Sequence, residues 1–394
     1  MIFYTNNYFA AYNYVKGKNN NQHKERYMQR SPTNLIKTSF PNSYFAAANS
    51  GSGFISFFHD IFFDTQIKKR YIIKGGPGTG KSTLMKKAAL TAQTNSLDVE
   101  CILCSSDPYS FDGVMINTKK GKIAIIDGTA PHATEAAYPG VYDELLDLGI
   151  CFDTTQLEKN SEKIKELCAK KAHAYKTAYT LLSCALKYEK YRQQLLTDCI
   201  DKEKLHKAVM RVLNSYISKS APKANSSKFK IKSAISSKGY CQTDIYEYEN
   251  GAHIDVIGSH GACFAVIDMF RKCSLDKGFV PTLSPTPLCP DTYDAMSIPA
   301  CGFYVCEKSS NEPYNENVSM RINSERFLNQ KHLKEVKAEL RLLSRLKNDA
   351  VRSAYKFMSI ASSNHSLLEE IYTPSVNFRY VEDIGEKLFD KIFS

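Results

Sequence analysis

Short apolar runs alternate along the chain with longer stretches in which apolar positions recur every third or fourth residue. That is the pattern of strands interleaved with helices. "RYIIK" (Arg70 to Lys74) reads as a short buried strand. "KSTLMKKAALTAQ" follows as a helix, with Leu84, Ala88 and Ala92 on one face and Lys86 and Lys87 nearer the other. "VECILCSSD", ending at Asp107, predicts a second strand, and "KIAIID" predicts a third, with four apolar residues, Ile123 to Ile126, before Asp127. "DGVMINTKKGK" between them reads as a hairpin turning at Lys120–Gly121, and Asp112 reads as a turn residue. "FISFFHDIFF" (Phe54 to Phe63) carries His59 and Asp60, which predicts a packed helix. No apolar run approaches the roughly 20 residues of a membrane helix.

Beyond Asp127 the period changes. Leu157, Ile164, Leu167, Ala174, Ala178, Leu181 and Ala185 recur at helical steps, predicting a long amphipathic helix folded back by "KYEKYRQQLLTDCIDKEKLHKAVMRVL". The Ser/Lys/Ala-rich residues 218–238 read as a linker. The remainder overlays on what came before. Asp112 meets Asp294, Val114 meets Met296, Ile116 meets Ile298, and Asp127 meets Cys306 or Glu307. Ala178–Tyr179 meets Ala354–Tyr355, and the second helix repeats leucine at Leu333, Leu340, Leu343 and Leu346. The expected organisation is a basic Asn/Tyr-rich segment 1–40, a first α/β half 41–217 with a helical insertion, the linker 218–238, and a second half 239–394.

Chemistry enters at "KGGPGTGKST", which fits G-x-x-x-x-G-K-S/T with Gly75, Gly80, Lys81 and Ser82. Such a loop wraps a phosphate with inward N–H groups, which a Cβ would obstruct. Gly75, Gly76, Pro77, Gly78, Thr79, Gly80, Lys81, Ser82 and Thr83 are the expected nucleotide contacts. Lys81 supplies positive charge, and Ser82 is placed to ligate Mg2+ at a helix N-terminus. Asp127, ending an apolar strand, is the expected second metal residue. The residue that activates water stays open between Asp107 and Glu135, and His132 is either a phosphate sensor or a structural histidine. The absence of N-K-x-D favours ATP. In the overlay Gly75 and Gly78 fall on Gly258 and Gly261, whereas Lys81 falls on Phe264 and Ser82 on Ala265. The second loop is therefore expected to bind no triphosphate.

Charge and cysteines alter this picture little. The net charge is +11. Residues 1–40 and 218–238 account for all of it, which reads as basic tails rather than a nucleic-acid groove. Twelve cysteines without a signal-peptide pattern suggest free thiols in a cytoplasmic protein, and the Cys101–Cys104 pair reads as strand core rather than a zinc knuckle.

Together, "ANSGSGFISFF", "RYIIKGGPGTGKSTLMKKAA", "CSSDPYSFDGVMI" and "KIAIIDGTAPH" resemble a largely uncharacterised family of tandem P-loop ATPases of clostridia and bacilli. The likeness covers Asn42 to Leu186 well and the second half in outline. It implies an α/β P-loop NTPase fold, a parallel sheet with flanking helices in two tandem halves, each with a long helical insertion. It also implies nucleotide contacts at Gly75 to Thr83 and a Walker B role for Asp127. The expected function is a Mg2+-dependent ATPase with one working site, coupling hydrolysis to conformational change and engaging a protein partner through the helical insertions. A small-molecule kinase and a nucleotide-dependent scaffold are the alternatives.

Overall fold

The computed structural model describes residues 34–36, 40–217, 228–246, 250–309 and 317–394. Most of the N-terminal segment 1–40, and residues 218–227 of the expected linker, lie outside the described residues. The strands of the first part are β1 (Asn34–Leu35), β2 (Ser43–Phe45), β3 (Ala47–Ser50), β4 (Gly53–Ser56), β5 (Ile67–Lys74), β6 (Val99–Leu103), β7 (Phe111–Thr118), β8 (Gly121–Asp127) and β9 (Asp143–Asp147). Its helices are α1 (Phe58–Phe62), α2 (Lys81–Thr94), α3 (Thr154–Glu158), α4 (Ser161–Cys199) and α5 (Lys202–Tyr216). The second part has β10 (Lys228–Phe229), β11 (Ser233–Ser236), β12 (Gly239–Gln242), β13 (Ala252–Ile257), β14 (Thr282–Pro285), β15 (Tyr293–Ile298), β16 (Phe303–Glu307) and β17 (Val318–Asn323). Its helices are α6 (Cys263–Asp276), α7 (Gln330–Tyr372) and α8 (Phe378–Phe393).

Two six-stranded sheets carry the fold, ordered β2-β6-β7-β8-β5-β9 and β10-β14-β15-β16-β13-β17. The orders correspond strand for strand, and so do the directions. In each sheet the third strand runs antiparallel to both neighbours and the remaining pairs are parallel. The sheets are thus mixed rather than parallel throughout. The cause in the first is local: β7 and β8 are joined by the two-residue turn Lys119–Lys120, which can only return the chain antiparallel.

Registers fix which positions correspond. Gly113 pairs with Ile126, one residue before Asp127. Ala295 pairs with Cys306, one residue before Glu307. Asp112 and Asp294 therefore occupy the same place, and both are buried within their sheets. Asp112 is a strand residue, not a turn residue: β7 begins at Phe111 and Asp112 is its second residue. "FISFFHDIFF" divides into the end of β4 and the short α1 instead of forming one helix, since the pair β3–β4 takes its first residues.

The long helix folds back within "KYEKYRQQLLTDCIDKEKLHKAVMRVL", as its pattern predicts. α4 runs on to Cys199, and the reversal comes at Ile200 and Asp201, whose side chain caps α5 by accepting from Lys204 N–H. α5 then buries Leu205, Val209 and Leu213 with Val256, Phe270 and Val305, in the core of the second sheet. Reciprocally, Val381, Leu388 and Ile392 of α8 lie with Leu84, Met85 and Ala88 in the core of the first. Each such side chain contributes about 1.5–3 kcal/mol when fully buried. Gly385 lets α8 approach closely, since a Cβ there would lie 2.8 Å from Leu84 Cδ1. The boundary expected at residue 217 thus divides the sequence but not the packing.

Of the expected linker, residues 228–238 carry β10, β11 and a turn. Two of its lysines are not part of a solvated tail: Lys230 lies 3.3 Å from Glu100, and Lys232 is buried. Phe229 and Ile231 alternate with these lysines, a strand pattern that net charge hides. Cys101 is a buried strand thiol, as the CxxC reading held, and Cys104 is half-buried; both are free.

Candidate functional site

The loop Gly75–Gly80 joins the carboxyl end of β5 to α2. Gly78 (φ 70°) and Gly80 (φ 84°) sit in the left-handed region, which explains glycine at both. The Lys81 ammonium donates to the carbonyls of Gly75 (3.0 Å) and Gly76 (2.9 Å). Thr79, itself buried, donates from Oγ1 to the Gly76 carbonyl at 2.9 Å. Ser82 Oγ accepts from Phe111 N–H at 2.9 Å, which fixes the hydroxyl beside the start of β7. Thr83 is exposed on the first turn of α2.

β8 lies next to β5, with Ile73 paired to Asp127, so Asp127 emerges level with the loop. Its Oδ1 accepts from Thr129 N–H (2.9 Å) and Oγ1 (2.6 Å), and its Oδ2 lies 3.9 Å from Lys81 Nζ. Lys81, Ser82 and Asp127 are thus brought together at the carboxyl edge of adjacent parallel strands, at the N-terminus of a 14-residue helix. The chain offers there a cation, a helix dipole, a hydroxyl and a carboxylate, groups suited to an anion and its metal.

Neither candidate for a base hydrogen-bonds or ion-pairs with Lys81, Ser82 or Asp127. Glu135 is largely exposed, and its carboxylate accepts from Lys74 Nζ at 2.6 Å. Asp107 is exposed beyond the end of β6, with Tyr109 N–H 3.4 Å from its Oδ1. His132 is buried, stacked on Phe58 at 4.5 Å, with Nε2 3.7 Å from Asp112 Oδ2. Burial pushes the Asp112 carboxyl up to about 6; His132 opposes the rise and Asp127 adds to it.

The second part of the chain reaches the first loop. A Cβ on Gly78 would lie 2.5 Å from Thr373 Oγ1, and one on Gly76 would lie 3.1 Å from Phe152 Cζ and 3.5 Å from Tyr372 Cε1. Nearby, burial holds His365 down at about 4, with Lys171 and Lys81 reinforcing it. Burial also raises Glu369, helped by Asp107. No sequence signal marks the contacts of Tyr372 and Thr373, because they join positions nearly 300 residues apart.

The loop after β13 differs. It has five residues before α6 where the first has six before α2. Counted from the helix start, Lys81 corresponds to Cys263 and Ser82 to Phe264, one residue earlier than the ungapped overlay. Buried positions agree: Leu84, Met85 and Ala88 match Val266, Ile267 and Phe270. The Glu325 carboxylate accepts from Ser259 N–H (2.6 Å) and His260 N–H (3.2 Å), and Arg192 of α4 donates to the His260 carbonyl at 2.7 Å. A Cβ on Gly261 would lie 2.4 Å from Arg192 Nη1.

No family model, curated protein or solved structure matches the chain. No described helix is long and apolar enough to cross a membrane.

Proposed function

We propose that the chain is a tandem P-loop NTPase, of the kind its motifs resemble, that binds and hydrolyses ATP in the cytoplasm at one loop, Gly75 to Thr83. The observation carrying this reading is Lys81, held on the loop's own carbonyls 3.9 Å from Asp127, at a helix start capped by a left-handed glycine. An ammonium in that position exchanges its carbonyl partners for phosphate oxygens and neutralises charge developing on the transferred group. The loop amides add partial positive charge without reorganising. Ser82 and Asp127 would hold Mg2+, which supplies charge neutralisation across the β and γ phosphates. Reading the equally ordered sheets as a tandem pair, the second loop has Cys263 or Phe264 in place of the lysine and binds no nucleotide. The end of α7, against Gly76 and Gly78, supports coupling of nucleotide state to the long helices, where a protein partner would engage.

Phosphate release by purified protein with ATP and Mg2+, without an acceptor, tests the reading. Turnover lost in Lys81→Ala supports it. ADP formed only when an acceptor is added would instead define a kinase, and binding without turnover a scaffold.

A further inference from the structure

Asp112 and Asp294 hold the same place in their sheets, but their surroundings differ in one respect. Around Asp294 every partner is built in. Ser233 Oγ and Ser284 Oγ donate to its two oxygens, at 2.5 and 2.6 Å, and the buried ammonium of Lys232 supplies compensating charge. The pairing of Phe45 with Ile231 and the turns at Gly53 and Gly239 place Ala46 and Ala47 where the second part has Lys232 and Ser233. The registers place Ile102 where it has Ser284. The carboxylate at Asp112 is therefore kept, while a cation and two hydroxyls are replaced by aliphatic side chains. Its Oδ2 is buried without a hydrogen-bond partner among the described residues.

His132 faces that oxygen, and Asp127 lies beside the pair. His132 Nε2 is 3.7 Å away, and ligand atoms of Asp112, Asp127 and His132 all lie within 4.8 Å of one another. Two carboxylates and an imidazole converging on a buried spot form a ligand set that a bound cation would stabilise, since Lys81 reaches only the Asp127 side and buried charge is costly. We infer that Asp112, Asp127 and His132 bind a divalent transition metal, which supplies the charge that Lys232 supplies in the second part. The imidazole selects a cation of the manganese-to-zinc series over magnesium, which prefers oxygen ligands and retains its waters. Stacking on Phe58 orients the ring, and the β8 terminus and β7 fix the carboxylates. The site shares Asp127 with the magnesium position proposed above, but it needs no nucleotide.

Cobalt chloride titrated into chelator-stripped, nucleotide-free protein, followed by visible absorption and by the thermal midpoint, tests this. The expected result is one saturable Co2+ per chain that raises the midpoint and persists in a tenfold excess of Mg2+. Asp112→Asn and His132→Gln, on separate elements, should each weaken binding about tenfold or more, a loss at least as large as that for outer-shell partners. Lys81→Ala should bind Co2+ as well as wild type or better, since it removes a cation 3.9 Å from Asp127 while disabling the nucleotide loop. Failure of the ATPase reading therefore leaves this result standing, and the reverse also holds. Absence of saturable Co2+ binding by the wild type, displacement by equimolar Mg2+, or unchanged affinity in both variants would overturn the inference.

Discussion

Lys81 Nζ lies 3.9 Å from Asp127 Oδ2 while donating to the carbonyls of Gly75 and Gly76, so one ammonium ties the end of β8 to the loop that follows β5. Lys81→Ala should weaken ATP binding ten- to a hundredfold, the equivalent of losing hydrogen bonds to a charged group at about 1.5–3 kcal/mol. Calorimetric titration reads this directly, and wild-type affinity in the variant would dismiss the loop as the site.

Asp127→Asn should retain most of the ATP affinity and lose magnesium-dependent turnover, because the amide keeps the acceptor for Thr129 and removes the charge. A magnesium dependence identical to wild type would mean that Asp127 serves only its turn.

One ATP should bind per chain, and Lys81→Ala should leave no equivalent of wild-type affinity. Neither Cys263 nor Phe264 can neutralise phosphate, and the second loop is already engaged by Glu325 and Arg192. A second equivalent of comparable affinity, surviving in the variant, would make the loop at 258–262 a working site.

Lys232→Met should destabilise the protein by about 3–5 kcal/mol in urea unfolding, the cost of removing the buried cation that compensates Asp294 and donates to Cys306 Sγ and the Glu307 carbonyl. Lys232 and Asp294 are both buried. A loss below about 1 kcal/mol would show that Asp294 is content as a neutral acid, and would weaken the comparison drawn with Asp112.

Acid should unlock the contact between Glu100 and the lysines. Burial alone would raise the Glu100 carboxyl, but Lys230 and Lys122 outweigh it and hold it at about 2. A depressed carboxyl stabilises the fold above its unfolded value near 4.3 and loses that contribution as pH falls toward 2, on the order of 3 kcal/mol in all. Glu100→Gln should therefore be less stable than wild type at pH 7 and nearly equal to it at pH 2. A constant difference between the two would refute the assignment.

What could be read from sequence depended on range. The strand–loop–helix around Lys81 and the strand before Asp127 were legible because glycine placement and apolar runs are local. Ala178 and Ala354, matched by eye, stand at buried positions of α4 and α7. Asp112 was misread because one carboxylate after a Ser-Phe pair looks like a turn, and only the register of β7 shows it buried. His132 remained ambiguous because its neighbours Phe58 and Asp112 come from other elements. The approach of Thr373 to Gly78 had no local signature at all.

The reciprocal placement of α5 and α8 has a consequence for cutting the chain. A break within 218–227 yields two fragments, each holding a complete six-stranded sheet but missing a helix that packs into its core. Alone, each fragment would expose part of its core and a stray amphipathic helix, and both would be prone to aggregate. Mixed, they should reassemble, because each carries the helix that the other lacks. The two sheets are then obligate partners in folding, and neither could be inherited, deleted or expressed by itself as a working module.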